Sequence, residues 1–321
     1  MDFVRTPEER FHRLTDYPFT SHYVDVDPCG LRMHFLDEGP HQADPVLMLH
    51  GEPTWSYLYR HMIPVVAAAG HRVIAPDLIG FGKSDKPIRM DDYSYASHVS
   101  WLLNLLDALE LERITLVAQD WGSLTGLRLA AEHPERFRAI IIGNGMLPTG
   151  DFKIPAAFHL WKTFAVYSPW FPIARIVNSG CLKKLGPEEL RAYDAPFPSA
   201  QFKAGARAFP KLVPISPDDP ATEANRAAWQ VLRAWTKPFL TTFSNADPIT
   251  RGGAAYLQKH IPGAQGQPHT TLIGGHFLQE DSPVPFARAI NSLLASLNDV
   301  PAKAAKGAAA SAVKTRRRRT D

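Results

Sequence analysis

The chain has 321 residues, 45% of them hydrophobic and 21% charged, which suits a soluble globular protein with a large core. Two cysteines, Cys29 and Cys181, are too few for a disulfide framework and read as two thiols; no CxxC or zinc spacing occurs, and the thirteen histidines are scattered. The formal charge of +3 misleads, because the segment from Pro301 carries seven cationic residues and one anionic residue, while 28 basic and 31 acidic residues elsewhere leave the body at −3.

The start, Met1 to Arg10, lacks the apolar core of a secretory signal, and no run approaches the length of a membrane span. The expected location is therefore the cytoplasm, with no membrane partner. From the N-terminus, Ser21 to Val26 and Leu31 to Leu36 read as a hairpin turned at Pro28-Cys29-Gly30. Six further strands follow: Pro45 to His50, Arg72 to Pro76, Ile114 to Ala118, Ala139 to Gly143, Pro238 to Ser244 and Thr270 to Ile273. Helical patterns lie between most of them, at Trp55 to Ala69, Tyr95 to Leu109, Ser123 to His133 and Ala254 to His260. This alternation predicts an eight-stranded, mainly parallel, doubly wound α/β sheet.

Between Leu147 and about Pro217 the rhythm breaks into a stretch rich in proline and aromatic residues, from Phe152 and Phe158 to Phe209. It reads as a helical cap inserted after the sixth strand. The expected organisation is a core over 1–146, a cap over 147–217, the rest of the core over 218–300 and a disordered basic tail over 301–321. The tail's Ala, Lys and Gly composition cannot build a core. Arg316 to Arg319 could touch nucleic acid or anionic lipid, but a solvated tail with no specific nucleic-acid partner is the expectation.

The most telling stretch runs from Ile114 to Gly126, where an apolar run stops at Gln119 and a helical pattern starts at once. This is the strand–turn–helix of an α/β-hydrolase nucleophile elbow, G-x-S-x-G, with Asp120 in the serine position. A carboxylate is ionised at neutral pH and needs no base to activate it. Its attack on an acyl carbon gives an anhydride and gains little, whereas attack on a saturated carbon gives a useful alkyl ester. The leaving group is then a halide or an opened epoxide oxygen. Trp121 offers an indole N–H that an anion can accept.

Hydrolases of this fold run nucleophile, acid, histidine along the chain. Asp247 follows the strand ending at Ser244, and His276 follows the last strand in Gly274-Gly275-His276-Phe277. The turn Gly143-Asn144-Gly145 holds no alternative acid. His276 is the candidate base for the water that hydrolyses the ester, and Asp247 orients its imidazole. The backbone N–H groups of Glu52 and Trp121 are the candidate oxyanion hole. The Glu52 side chain is an alternative charged participant in the site, and the role expected of Glu52 is that of its backbone.

His50 to Arg60, Asp77 to Asp85, Gln119 to Gly122 and Gly275 to Glu280 together look like the motifs of the haloalkane dehalogenases. They resemble in particular the subfamily typified by the Xanthobacter dichloroethane-degrading enzyme. Likeness extends through the cap, in Phe158 to Lys162, Tyr193 to Pro198 and Phe209 to Val213, and ends near Leu294. The resemblance implies an α/β-hydrolase fold, cleavage of a carbon–halogen bond to alcohol, halide and proton, and no cofactor. It implies a halide held by two indole N–H groups, on Trp121 and Trp161; Trp170 is the rival of Trp161. Leu124, Phe158, Phe209, Pro210, Val213 and Ile249 are candidates for an apolar haloalkane pocket.

An epoxide hydrolase shares the triad and often the tryptophan, but protonates its leaving oxygen with cap tyrosines, for which Tyr167 and Tyr193 are present. A haloacetate dehalogenase usually places arginine where Trp121 stands. A ligand receptor on the same scaffold tolerates loss of a triad member, and none is missing. No metal, nucleotide or flavin site is implied; Gly80 to Ser84 lacks the first glycine of a phosphate loop. A monomer is the default expectation.

Overall fold

The structure, a computed structural model, describes residues 1–151 and 156–297. The tail expected over 301–321, and Phe152 among the cap aromatics, lie outside the described residues.

Among the described residues ten strands form, in chain order β1 (Phe3–Val4), β2 (His22–Asp25), β3 (Arg32–Glu38), β4 (Pro45–Leu49), β5 (Arg72–Pro76), β6 (Lys86–Pro87), β7 (Ile114–Gln119), β8 (Phe137–Gly143), β9 (Phe239–Ser244) and β10 (Thr270–Leu272). Eight of them make one sheet, in the order β10-β9-β8-β7-β4-β5-β3-β2. Pairing is parallel from β10 to β5, and β3 runs antiparallel to both β5 and β2. All eight expected strands are present. The two-residue pair β1–β6 was not anticipated, since two residues show no periodicity.

Every position of β4 and of β7 is buried, as strands covered on both faces require. Their side chains divide with period two. Leu47 and Leu49 join one hydrophobic core, and Val46 and Met48 join the other. The helices supply the two covers: α1 (Ile63–Ala67), α2 (Tyr95–Ala108), α3 (Trp121–Glu132), α4 (Ala156–Tyr167), α5 (Ile173–Gly180), α6 (Pro187–Asp194), α7 (Ala204–Leu212), α8 (Thr222–Leu232), α9 (Gly253–His260), α10 (Leu278–Asp281) and α11 over 283–297. Residues of α2, α3 and α8 fill the first core, while α1 and α11 fill the second. Each Leu, Ile or Phe buried in this way contributes about 1.5–3 kcal/mol.

One helix differs from expectation. Trp55 to Ala69 is not continuous: a 3-10 turn at Ser56–Tyr59 precedes the short α1. Ser56 to Tyr59 are buried on all sides rather than along one stripe, and the Ser56 N–H is taken by the Asp77 carboxylate. Pro64, which has no N–H to give, falls in the first turn of α1.

Among the described residues, the stretch between β8 and β9 contains helices and no strand. α4 to α7 form the cap, with α4 packed on α7 and α5 on α6. α8 then returns to the core against α3, where Arg128 donates to Asn225. β4 sends its chain to β5 on one side while β7 takes the other. The carboxyl ends of β4 and β7 therefore flank the switch point where a doubly wound sheet opens a crevice.

Candidate active site

β7 ends at Gln119, and Asp120 follows with φ 49° and ψ −125°, a left-handed conformation that L side chains rarely adopt. Such backbone costs on the order of 1–3 kcal/mol and persists where the surroundings enforce it. The Asp120 N–H donates to the carbonyl of Asn144, and its own carbonyl accepts from Ser123 and Leu124. The turn thus lifts the carboxylate above the strand ends at the N-terminus of α3, where unpaired backbone N–H groups favour negative charge.

The register Leu49 to Ala118 brings the loop after β4 beside this turn. The Glu52 N–H donates to Asp120 Oδ1 at 2.8 Å. Gly51 makes the approach possible, because a Cβ there would sit 2.4 Å from the Asp120 Cβ. Gly122 is held equally closely, with a Cβ position 2.1 Å from the Leu49 carbonyl oxygen. The Glu52 side chain is buried, its Oε1 has no hydrogen-bond partner, and burial with the nearby Asp120 charge pushes its carboxyl well above the usual range.

His276 completes the group. Its Nε2 lies 3.5 Å from Asp120 Oδ2, and its Nδ1 lies 3.1 Å from Asp247 Oδ2. Burial pulls this imidazole down, but hydrogen bonds to Asp120 and Asp247 and their fields outweigh it and lift the ring to about 10. Burial raises the Asp247 carboxyl, yet His276, the Thr250 hydroxyl and the Ile249 N–H together hold it below its ordinary value. Asp120, Asp247 and His276, the candidate nucleophile, acid and base, thus come together from a span of 157 residues.

Trp121 is buried, stacked on Phe209 of α7 at 4.2 Å between ring centroids and tilted against Tyr95 at 5.4 Å. A family model described as the alpha/beta hydrolase fold matches residues 44–170. A haloalkane dehalogenase of Mycobacterium marinum is 55% identical over 91% of this chain and 99% of that protein. Another, of Psychrobacter cryohalolentis, is 56% identical over 88% of this chain and 94% of its own length. The chain belongs to the haloalkane dehalogenases. Among solved structures, the tetrameric haloalkane dehalogenase DpaA of Paraglaciecola agarilytica superposes with a TM-score of 0.84 at 36% identity, covering 90% of this chain and 97% of that one. The fold is the α/β-hydrolase fold with its cap.

In this member of the haloalkane dehalogenases, the remaining sequence-derived residues fall into three groups. Leu124, Phe209 and Pro210 are buried, and Phe158 and Val213 are half-buried. Trp161 packs with Phe164 at 5.9 Å and Phe171 at 6.0 Å, against the same hydrophobic core that holds Trp121 and Phe209. Trp170 is exposed, with Arg175 over its ring. Ile249 is 62% exposed. It lines an open cavity of about 380 Å³ with Cys181, Leu182, Ala246, Pro248 and His276.

Two participants escaped the sequence reading. Asn144 was noted only as a non-acid, yet its amide donates to the carbonyls of Gly275 and His276 and its Oδ1 accepts from the Ser244 N–H. Together with its carbonyl bond to Asp120 it ties the Asp120 turn, the end of β9 and the His276 loop to one residue. Gln119 is the other, buried under the imidazole. The signal for Asn144 was its place between two glycines at a strand end, which marks a tight turn beside a site.

Cys29 and Cys181 are free thiols. No group of His, Cys, Asp and Glu able to hold a metal occurs among the described residues, and no described helix is long and apolar enough to cross a membrane.

Proposed function

We propose that the chain hydrolyses haloalkanes to alcohol, halide and a proton. The observation that carries this reading is an aspartate at the elbow with one oxygen in a backbone N–H bond and the other facing a histidine. Asp120 Oδ2 attacks the halogen-bearing carbon; the C–O bond forms as the C–X bond breaks, and the halide leaves with the electron pair. Trp121 and Trp161 donate their indole N–H groups to it, with the Phe209 stack fixing the Trp121 plane. An ion accepts two such donors without needing a proton.

Alkylation removes the Asp120 charge. With that charge and its hydrogen bond gone, a main support of the protonated imidazole disappears, and His276 becomes competent to take a proton from water. The hydroxide attacks Asp120 Cγ. The Glu52 and Trp121 N–H groups hold the tetrahedral oxyanion, which collapses to alcohol and free carboxylate while the proton leaves for solvent. Asp247 stabilises the imidazolium formed on the way. The cap, taken as 147–217, closes the apolar pocket over the reacting carbon. We place the enzyme in the cytoplasm as a monomer with no membrane or nucleic-acid partner.

The epoxide reading finds less support. It needs cap tyrosines at the leaving oxygen, but Tyr167 is 79% exposed and the Tyr193 hydroxyl is spent on Glu280. The test is halide and proton release from 1-bromobutane and 1,2-dibromoethane, with styrene oxide alongside. Turnover of the epoxide alone would overturn the assignment. Asp120→Asn should abolish halide release, and His276→Phe should release one equivalent and retain the alkyl group on Asp120. Trp161→Phe should weaken halide binding while Trp170→Phe leaves it unchanged.

A further inference from the structure

The Gln119 side chain is fully buried at the last position of β7, directly before Asp120. Its Nε2 lies 3.1 Å from His276 Nε2 and 3.2 Å from the His276 carbonyl oxygen. A carbonyl oxygen only accepts, so the atom facing it is the amide nitrogen. That nitrogen carries two hydrogens and serves both partners. Its other end, Oε1, is buried with no partner. A buried acceptor left unpaired costs about 1–3 kcal/mol. The amide is thus oriented for its contacts with His276 at the expense of its own satisfaction.

We propose that Gln119 is a positioning residue that selects the Nδ1–H tautomer of His276 and steadies the Nε2 lone pair for the hydrolytic water. The proposal rests on the triad reading above. An N–H donor aimed at Nε2 is a hydrogen bond when that nitrogen bears a lone pair and a donor–donor clash when it bears a proton. Gln119 therefore opposes the carboxylates around the ring. Those are Asp120 on the Nε2 side and Asp247 on the Nδ1 side, with Glu52 near Asp120. On the cap side stands the Cys181 thiol. The Glu280 and Asp281 carboxylates that follow on α10 are engaged elsewhere, with Arg60 and with backbone N–H groups. Before alkylation, Asp120 favours imidazolium. Once Asp120 is an ester, Gln119 is the group touching Nε2 that favours the neutral ring, so it resets the base at the step where a base is needed.

The test is Gln119→Met, which fills the space without a donor, studied by rapid quench and intact mass with 1,2-dibromoethane from pH 5 to 10. The expected result is a wild-type burst of bromide and a slower decay of the alkyl-enzyme. Its acid limb should move to higher pH by about one unit, the equivalent of one hydrogen bond of about 1.4 kcal/mol. Gln119→Glu, whose carboxylate accepts from Nε2–H, should trap imidazolium and slow ester decay at least about 100-fold with the burst retained. An acid limb in Gln119→Met at the wild-type pH overturns the proposal. So does an equal loss in both steps with a lowered Tm, the mark of a merely structural residue. If Gln119→Met does not fold, ester decay at the wild-type rate in Gln119→Glu overturns it. The His276→Phe control separates the two ideas: no adduct on Asp120 there sinks the triad reading, while an adduct there with an unmoved limb sinks the Gln119 role alone.

Discussion

The His276 backbone N–H donates to the Gly180 carbonyl at 2.7 Å, so the last residue of a cap helix holds the loop of the proposed base. Asp281 seals the same seam. Its carboxylate accepts from the N–H groups of Gly275 at 2.8 Å, Leu182 at 3.0 Å and Lys183 at 2.8 Å. Base loop and cap are therefore one hydrogen-bonded unit.

Asp281→Ala removes both oxygens that accept these three hydrogen bonds. A loss of about 2–3 kcal/mol is expected, because hydrogen bonds to a charged group are the stronger kind. Urea denaturation reads it. Ester decay should slow more than halide release, since the base loop loosens while the elbow does not. Unchanged stability would refute the clasp.

The triad makes stability depend on pH. His276 is raised in the folded state from 6.5 to about 10, so the stability it contributes is complete below about 6.5 and fades as pH climbs through about 10. Asp247 is depressed, so its share is present above its ordinary value of 3.8 and is lost as pH falls below that. Asp247→Asn removes one of the two carboxylates that raise the imidazole. The stability difference between wild type and this variant, from denaturation at several pH values, should narrow between pH 7 and 10. Ester hydrolysis should fall on the order of 10²–10⁴-fold, as when an orienting acid is lost elsewhere.

Arg60 and Glu280 form a buried bidentate pair, one contact at 2.9 Å, with the Tyr193 hydroxyl on the same carboxylate and the guanidinium 4.0 Å over the Tyr57 ring. Removing one charge strands the other in the interior. Glu280→Gln should cost about 3–5 kcal/mol, and Tyr193→Phe only about 1 kcal/mol. Arg60→Met with Glu280→Gln should cost less than the sum of the single changes. Additive losses by denaturation would contradict the pairing.

Phe209 stacks on Trp121 and also packs against Phe81 and His98. Phe209→Ala should destabilise by about 3–5 kcal/mol through the cavity it leaves. With the stack gone, the indole plane is free to turn, and iodide quenching of tryptophan fluorescence should report about 2–10-fold weaker halide binding. Wild-type affinity in a folded Phe209→Leu variant would show that the stack does not set the indole.

Much of the site was legible because its chemistry is carried by short contiguous strings. An elbow needs adjacent residues, so Asp120 and Trp121 stand in one motif, and a base and acid at strand ends are marked by the turns that hold them. Trp161 is proposed as the partner of Trp121 from a local string, while its packing with Phe164 and Phe171 follows from how the cap helices settle, which no short string records. Ile249 is a pocket candidate through the family resemblance, and only the path of the loop after β9 leaves it 62% exposed.

What the amino-acid order determined by itself was the layered sheet, the inserted helices and the placing of Asp120, Asp247 and His276 at successive strand ends. Strands buried on both faces must be apolar throughout, and sharp turns demand small residues, so both leave marks that need no coordinates. Tertiary structure alone decided that Gln119 lies under the imidazole, that Asn144 ties three loops together, and that Gly180 reaches His276. Those contacts join residues up to 157 positions apart through atoms about 3 Å from one another. Spacing along a chain carries no record of a fit that fine.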